Sequence, residues 1–438
     1  MENGIEASRQ NSKQKKRLKR WYTLDNAAKI YPAVQNARWS SVYRISVTLK
    51  EEVDPVTLQE ALEVTLNRFR NFGLRLRAGM FWYYLEENDK RPRVQPDVRN
   101  PCVRMSKSEN GNYMFRVRFY KRRIALEVFH VVCDGTGAMY FLKTLTAEYL
   151  KRKEKIIIPP GDGVFNCNQR PQKGEMEDAF KRYATFKALK TRVETPAYHR
   201  KGTVEPPQVM NIITGIIPVS ALREKSKTYG VTLTEYLTAA MIYALNECQK
   251  REPRGRERAV KISVPANLRQ FYPSRTLRNF SLWVSPGIEP KYGEYSFEEI
   301  IDEVHHFIKM NLKEKYLNAM MCKNLVSEMN PFLRATPLFL KKIALIIAYN
   351  LYGESRFSGT FSNMGLVSVP KEMEPHIERF DFILGRSKNH ATDAAGVSFK
   401  GNLYLNFSSA LAEHDYEREF FTLLVKQGIP VKVESNRR

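Results

Sequence analysis

The chain has 438 residues, of which 43% are hydrophobic and 11% aromatic, which supplies ample material for a core and excludes a disordered protein. Lysine and arginine number 71 against 47 aspartates and glutamates, a formal charge of +24 that favours anionic partners such as nucleotides, phosphorylated carriers, nucleic acid or a membrane surface. Five cysteines, at 102, 133, 167, 248 and 322, are too few and too scattered for a disulfide framework or a CxxC zinc site, so no metal is expected and a reducing cytoplasm fits. The longest apolar stretch, Ile343 to Tyr352, is interrupted by Asn350 and falls short of the roughly 18–20 residues a membrane span needs. The first ten residues lack an apolar signal core. A soluble, cytoplasmic chain of two to three domains, or one large pseudo-duplicated unit, is expected.

The N-terminal arm, residues 1–20, is polar and then basic (Lys13, Lys15, Lys16, Arg17, Lys19, Arg20). It is either a solvated arm or a contact for an acidic lipid or nucleotide surface. From Tyr43 the pattern alternates: Tyr43, Ile45, Val47 and Leu49 against Arg44, Ser46 and Thr48, a half-buried strand. Asp54-Pro55 then reads as a helix start, because aspartate can cap and proline suits the first position. Met80 to Glu86 is aromatic and strand-like, with Trp82, Tyr83 and Tyr84 read as core rather than as a base-stacking platform. Alternation at Phe115, Val117 and Phe119, a turn at 121–123, and alternation at Ile124, Leu126 and Val128 make a hairpin. Its second strand runs into Phe129-His130-Val131-Val132-Cys133-Asp134-Gly135, after which helical spacing resumes.

Residues 159–175 are rich in proline, glycine and polar residues and read as a crossover. It divides a first half, 21–170, from a second, 171–438. The second half shows helices over 176–192, 219–229 and 232–249, a strand at 260–264, helices near 296–313 and 337–350, strands near 357–369, 379–384, 395–399 and 402–408, and a last helix at 414–426. Helices and strands mix without a strict βαβ rhythm, which predicts α+β layers rather than a doubly wound sheet.

His130 ends a hydrophobic strand, where a side chain is rigidly held yet able to reach a cleft. Neutral imidazole accepts a proton near pH 7. On spacing alone His130 reads equally as a general base or as a structural histidine. Gly135 and Gly137 permit tight turning and close backbone approach. His305-His306 occupy adjacent helix positions, which do not share a face, so they are not expected to hold a metal. His414-Asp415 reads as a cap region and Cys133 as a packing residue. No nucleic-acid module is recognisable, and the charge is spread along the chain.

The pattern H-x-x-x-D-G, between a strand and a helix, resembles the chloramphenicol acetyltransferase-like acyltransferase superfamily. Three further segments agree in order: Gly230-Val231-Thr232-Leu233-Thr234, Val264-Pro265-Ala266-Asn267-Leu268-Arg269 followed by Asn279, and Phe361-Ser362-Asn363-Met364-Gly365. The resemblance spans roughly residues 25–430 and is nearest to bacterial alcohol acetyltransferase-type proteins. Phe129 stands where peptide-synthetase condensation domains usually carry a first histidine, and the plant-type D-F-G-W-G motif has no clear counterpart.

The resemblance implies two similar lobes in one chain with a central cleft or tunnel. His130 would act there as general base, without a covalent intermediate, on an acceptor hydroxyl or amine attacking an acyl thioester. It implies that Asp134 points away from the cleft into a loop-fixing ion pair, with Arg269 the expected partner, and that Asn267, Ser362 and Asn363 are cleft polar groups. Acyl-CoA is the implied co-substrate, with no bound cofactor, and the basic segment Lys250 to Arg258 is one candidate for its phosphates. A phosphopantetheinyl carrier protein is the alternative donor, and a catalytically silent ligand-binding protein of the same fold the alternative function. A monomer is expected, with peripheral membrane contact left open.

Overall fold

The computed structural model describes residues 19–437 apart from 37–38, 107–108, 186–194, 253–256 and 388. Residues 1–18 of the basic arm, part of the helix expected over 176–192, and the middle of the basic segment at 250–258 thus lie outside the described residues. Lys19 and Arg20, the described end of the arm, sit against Asp89 and Glu87.

Two sheets organise the chain. The first has the order 377–383, 42–49, 123–129, 115–120, 95–96, and the second the order 281–284, 260–267, 359–366, 392–399, 402–409, 211–218, 432–435. A small third sheet joins 21–23, 83–87 and 74–78. The strand Ile377–Ile383 pairs antiparallel with Val42–Leu49, so the N-terminal lobe takes an edge strand from the C-terminal half. Division at 170/171 describes the other strands of that sheet but not this one, because a strand crossing over satisfies backbone groups the edge would otherwise expose.

Local chemistry explains most element ends. The helix Pro55–Arg68 starts where Asp54 accepts from the Thr57 N–H at 2.7 Å. The helix Leu233–Arg251 starts with a reciprocal box: Thr232 accepts from the Glu235 N–H, and Glu235 accepts from the Thr232 N–H. Each satisfies donors the first turn leaves unpaired. Of the helix expected over 176–192, the described part is a short turn at Lys173–Met176 and the helix Ala179–Tyr183. The helices Glu314–Met329 and Pro331–Ala335 and the small third sheet were not anticipated.

The first sheet departs from the half-buried reading. Its apolar face, including Ile45, Val47, Val117, Ile124 and Leu126, packs under the helices Pro55–Arg68 and Gly135–Lys153 as expected. Its polar face is buried as well. Arg44 and Arg116 flank Glu127 in adjacent strands, and Asp97, Cys102 and Glu109 contact them from outside the sheet. Glu127 Oε2 lies 2.6 Å from Arg116 Nη2, Glu127 Oε1 lies 3.0 Å from Arg44 Nη2, and the Cys102 N–H donates to Glu127 Oε1 at 3.0 Å. Burial alone would raise the Glu127 carboxyl, but Arg44 and Arg116 outweigh it and hold it below the usual carboxylate range. Alternating Arg and Glu in a strand signals a polar face; it does not say whether that face meets water or its own countercharges.

A second buried charge sits in the C-terminal half of the chain, at His390. His390 Nδ1 lies 3.1 Å from Asp393 Oδ1, and its Nε2 lies 3.1 Å from the Glu354 carbonyl oxygen. Burial opposes its charge, but Asp393 prevails and raises its pKa to about 9.

Two measurements follow from these networks. Glu127→Ala leaves two buried guanidinium groups without their shared carboxylate and should cost about 3–5 kcal/mol in denaturant unfolding. Because His390 is raised above the ordinary histidine value, its stabilisation is fully present below about pH 6.5. It is lost as pH rises through about 9. Thermal unfolding temperature should fall across that window, and His390→Ala should flatten the fall.

Candidate active site

The strand Arg123–Phe129 delivers His130 to the junction of the lobes, and the helix Gly135–Lys153 begins five residues later. The His130 N–H donates to the Ser41 carbonyl at 2.9 Å. The ring is sandwiched: Tyr31 stacks on it with centroids 4.6 Å apart, and Tyr43 meets it edge-on at 5.1 Å. These contacts leave the imidazole little freedom to rotate.

Asn279, from the C-terminal half, sets the ring's tautomer. Its amide nitrogen donates to the His130 carbonyl at 3.0 Å and to Asp25 Oδ2 at 3.2 Å. Both N–H groups are therefore used on acceptors, and the amide oxygen must face the ring. That oxygen lies 2.9 Å from His130 Nδ1. An oxygen acceptor there requires Nδ1 to carry the hydrogen, so Nε2 keeps its lone pair. Burial lowers the His130 pKa below the ordinary histidine value, with Asp134, the backbone and Asn279 acting in the opposite direction. The ring is thus neutral at pH 7 and basic at Nε2.

Asp134 faces away from the ring into a set of donors. Oδ1 caps the helix by accepting from the Gly137 N–H at 3.2 Å. Oδ2 accepts from Arg269 Nη1 at 2.7 Å and from the Phe280 N–H at 2.9 Å. Arg269 in turn donates to the carbonyls of Thr276 and Arg278, so one guanidinium holds the 269–280 segment against the loop. The Tyr43 hydroxyl lies 2.9 Å from both the Cys133 and Asp134 carbonyl oxygens. Gly137 is required by packing, since a Cβ there would lie 2.3 Å from the Leu277 carbonyl oxygen. Gly135 is tight but less so, a Cβ meeting the flexible end of Met364 at 3.3 Å.

The structure brings His130, Asp134, Gly135 and Arg269 together. Asn267 lies beside them, but its polar groups are committed: Oδ1 accepts from the Arg269 N–H at 3.1 Å, and Nδ2 donates to Thr136 at 3.4 Å. Asn363 donates to Thr234 at 3.0 Å and accepts from the Gly365 N–H at 2.9 Å, which holds the turn at Gly365. Ser362 is half-buried opposite Ala395. It is the next residue but one, Met364, that reaches the His130 loop.

Other candidates fall elsewhere. Cys133 is buried, and burial pushes its thiol up, the reverse of what a nucleophile needs. Lys250 lies between Glu247 and Glu294, and Arg251 pairs with Glu419. The nearby cavity of about 510 Å³ mixes Lys201, Lys250, Arg258 and Lys291 with Glu252, Glu257 and Glu294, so carboxylates offset most of its cations. His305 sits 3.4 Å from Glu235, and among the described residues no group of three metal-ligating side chains converges. Trp82, Tyr83 and Tyr84 are only half-buried, and of the three Tyr83 packs against the core. They line a cavity of about 730 Å³, because their strand belongs to the small third sheet and is only partly covered.

Asp25, Tyr31 and Tyr43 were not anticipated as site residues, and Asn279 was singled out only by its place after the Asn267-Leu268-Arg269 segment. Asp25 had a legible local signal, since an aspartate three residues before Ala28 accepts that N–H at 2.8 Å. Its second use, on Asn279, joins residues 254 positions apart and has no local signature.

Residues 179–385 match the model of the alcohol acetyltransferase family. A comparison with curated proteins finds no match. Among solved structures the chain is similar to trichothecene 15-O-acetyltransferase from Fusarium sporotrichioides, at 12% identity and a TM-score of 0.60, covering 93% of this chain and 94% of that one. It is similar to the first condensation domain of the calcium-dependent antibiotic synthetase, in complex with a substrate analogue, at 14% identity and a TM-score of 0.61, covering 93% and 96%. It is also similar to the starter condensation domain of rhizomide synthetase in complex with C8-CoA, at 11% identity and a TM-score of 0.57, covering 93% and 95%. The chain has the two-lobed chloramphenicol acetyltransferase-like fold and is an acyltransferase, similar over residues 179–385 to the alcohol acetyltransferases.

Proposed function

We propose that the protein transfers an acyl group from a coenzyme A thioester to an alcohol hydroxyl, with His130 as the general base. The observation that carries this reading is the Asn279 amide oxygen 2.9 Å from His130 Nδ1, which leaves Nε2 as the basic nitrogen at the lobe junction. The C8-CoA bound to the rhizomide synthetase domain and the +24 charge of this chain support a CoA donor, whose diphosphate and 3′-phosphate are anionic. The trichothecene 15-O-acetyltransferase likeness supports a hydroxyl acceptor.

In this mechanism Nε2 takes the acceptor's O–H proton as its oxygen attacks the thioester carbonyl. The C–O bond forms and a tetrahedral oxyanion results. Collapse breaks the C–S bond, and the leaving thiolate recovers the proton from the imidazolium. Such general base catalysis is worth about 10²–10⁴-fold, the remainder coming from holding two substrates together and stabilising the oxyanion. Asn279 is a positioning residue, Asp134 with Arg269 holds the loop, and Tyr31 and Tyr43 hold the ring. A carrier-protein thioester is the second reading, favoured by the condensation-domain likeness. Release of free thiol from acyl-CoA only when an alcohol is present supports the first; turnover only with a loaded carrier supports the second.

His130→Ala should lower kcat by about 10²–10⁴-fold, with a fall in unfolding temperature smaller than that of Asp134→Ala. The acid limb of the kcat/KM profile should lie below pH 6.5, since a base held below its ordinary pKa stays deprotonated into mild acid. Asn279→Ala should move that limb further down, because its hydrogen bond acts to raise the His130 pKa, and should lower kcat at every pH. Asp134→Ala should differ in kind from His130→Ala. It strips Arg269 of its carboxylate, costs about 3–5 kcal/mol in unfolding, and loses activity together with the loop.

A further inference from the structure

The helix Leu338–Tyr352 is inside out. Lys341 is its most polar buried residue, donating to the Phe81 carbonyl at 2.9 Å with its ammonium 3.3 Å from the Trp82 ring centroid. Tyr349, on the same side, stacks on Trp39 at 4.7 Å. The opposite face carries Phe339, Ile343 and Ile347, which are 68%, 56% and 53% exposed. Spaced four apart, they form one stripe. Phe332, 85% exposed on the helix Pro331–Ala335, and Met80, whose carbonyl accepts the Leu338 N–H at 2.8 Å, extend the patch. Contiguous apolar surface of this kind marks an interaction site.

The charge around it selects the partner. Between Asn330 and Tyr352 the sequence holds the exposed cations Arg334 and Lys342, the buried Lys341, and no carboxylate. Large apolar side chains flanked by cations, with no acid among them, match the headgroup region of an anionic bilayer, where the rings and branched chains enter the acyl boundary and the cations meet lipid phosphates. With 15 residues, the helix is about 22 Å long at 1.5 Å per residue, below the roughly 30 Å of a hydrocarbon core. No helix among the described residues is long and apolar enough to cross a membrane. The helix can lie in the interface but not span it.

We propose that the face formed by Phe332, Phe339, Ile343 and Ile347 docks the protein on an anionic lipid bilayer. The patch borders the cavity of about 730 Å³, whose walls include Phe81, Met329 and Arg334 from the exposed side and the buried Leu24 from within. Leu24 precedes Asp25, the residue that holds Asn279. On the acyl-transfer reading, on which this clause rests, the acceptor is a long-chain alcohol that partitions into the bilayer.

The test uses the full chain with vesicles of phosphatidylcholine, with and without phosphatidylglycerol. Wild type should co-sediment with the anionic vesicles and be released by salt. Phe339→Ser combined with Ile343→Ser should lower the bound fraction by about tenfold or more, with Ile347→Ser as an independent second variant and unchanged thermal unfolding as the fold control. Arg334→Gln with Lys342→Gln should weaken binding to anionic vesicles only. Absence of wild-type binding, or binding that the serine variants leave unchanged, would overturn the proposal. So would light scattering that shows a wild-type dimer dissociated by the serine variants, since the face would then belong to a second copy. Turnover separates the two readings. The serine variants should lose transfer to a long-chain alcohol carried in vesicles and keep transfer to a short soluble alcohol. Vesicle binding with no transfer to either alcohol would refute the transferase reading and leave the docking face standing.

Discussion

The carboxylate of Asp134 is the point on which the rest of the site depends. It caps the helix Gly135–Lys153, accepts from Arg269, and accepts from the Phe280 N–H. Two parts of the chain, the loop at Asp134 and the 269–280 segment, more than 130 residues apart in sequence, are thereby fixed relative to one another. A helix N-terminus already favours a negative group, and the guanidinium compensates the charge that burial would otherwise penalise. The His130 ring is positioned as a consequence: its strand and the helix after it cannot move without breaking that junction, and Asn279 is carried in by the same 269–280 segment that Arg269 holds.

The two lobes are tied at other levels too. The strand Ile377–Ile383 completes the N-terminal sheet, Arg68 pairs with Glu175 at 2.7 Å, and Asn71 donates to the Leu277 carbonyl at 3.1 Å. These tie-points surround the site from several directions. A reaction between two substrates at a lobe junction gains from rigid positioning as much as from the base itself.

What the sequence revealed follows from which forces are local. Helix starts at Asp54-Pro55 and Thr232 to Glu235, and the hairpin of Phe115 to Phe129, are set by neighbouring residues and were legible. So were the fold, through ordered motifs, and the ion pair of Asp134 with Arg269. Three things were not. The polar face of the first sheet reads as solvent-facing until Glu127 is seen to meet Arg44 and Arg116. The aromatic run at 82–84 reads as core until its sheet proves small. The long-range set of Asp25, Asn279 and His130 is made by topology alone. Asn267 and Asn363 show the converse: polar residues at motif positions whose hydrogen bonds hold their own turns.

Two buried histidines show what the direction of a neighbouring carboxylate decides. His390 touches Asp393 directly, 3.1 Å away, and the carboxylate overcomes burial and raises the pKa to about 9. His130 also has a carboxylate near it, Asp134, which acts in the same direction, yet burial prevails and its pKa is lowered. The difference lies in where each carboxylate spends its charge. Asp393 gives one oxygen to the imidazole and the Thr360 N–H, whereas Asp134 turns both oxygens away, onto Gly137, Phe280 and Arg269. Burial thus keeps the His130 ring neutral, with the lone pair a base needs, while the Asp134 oxygens are spent on the helix cap, the Phe280 N–H and Arg269.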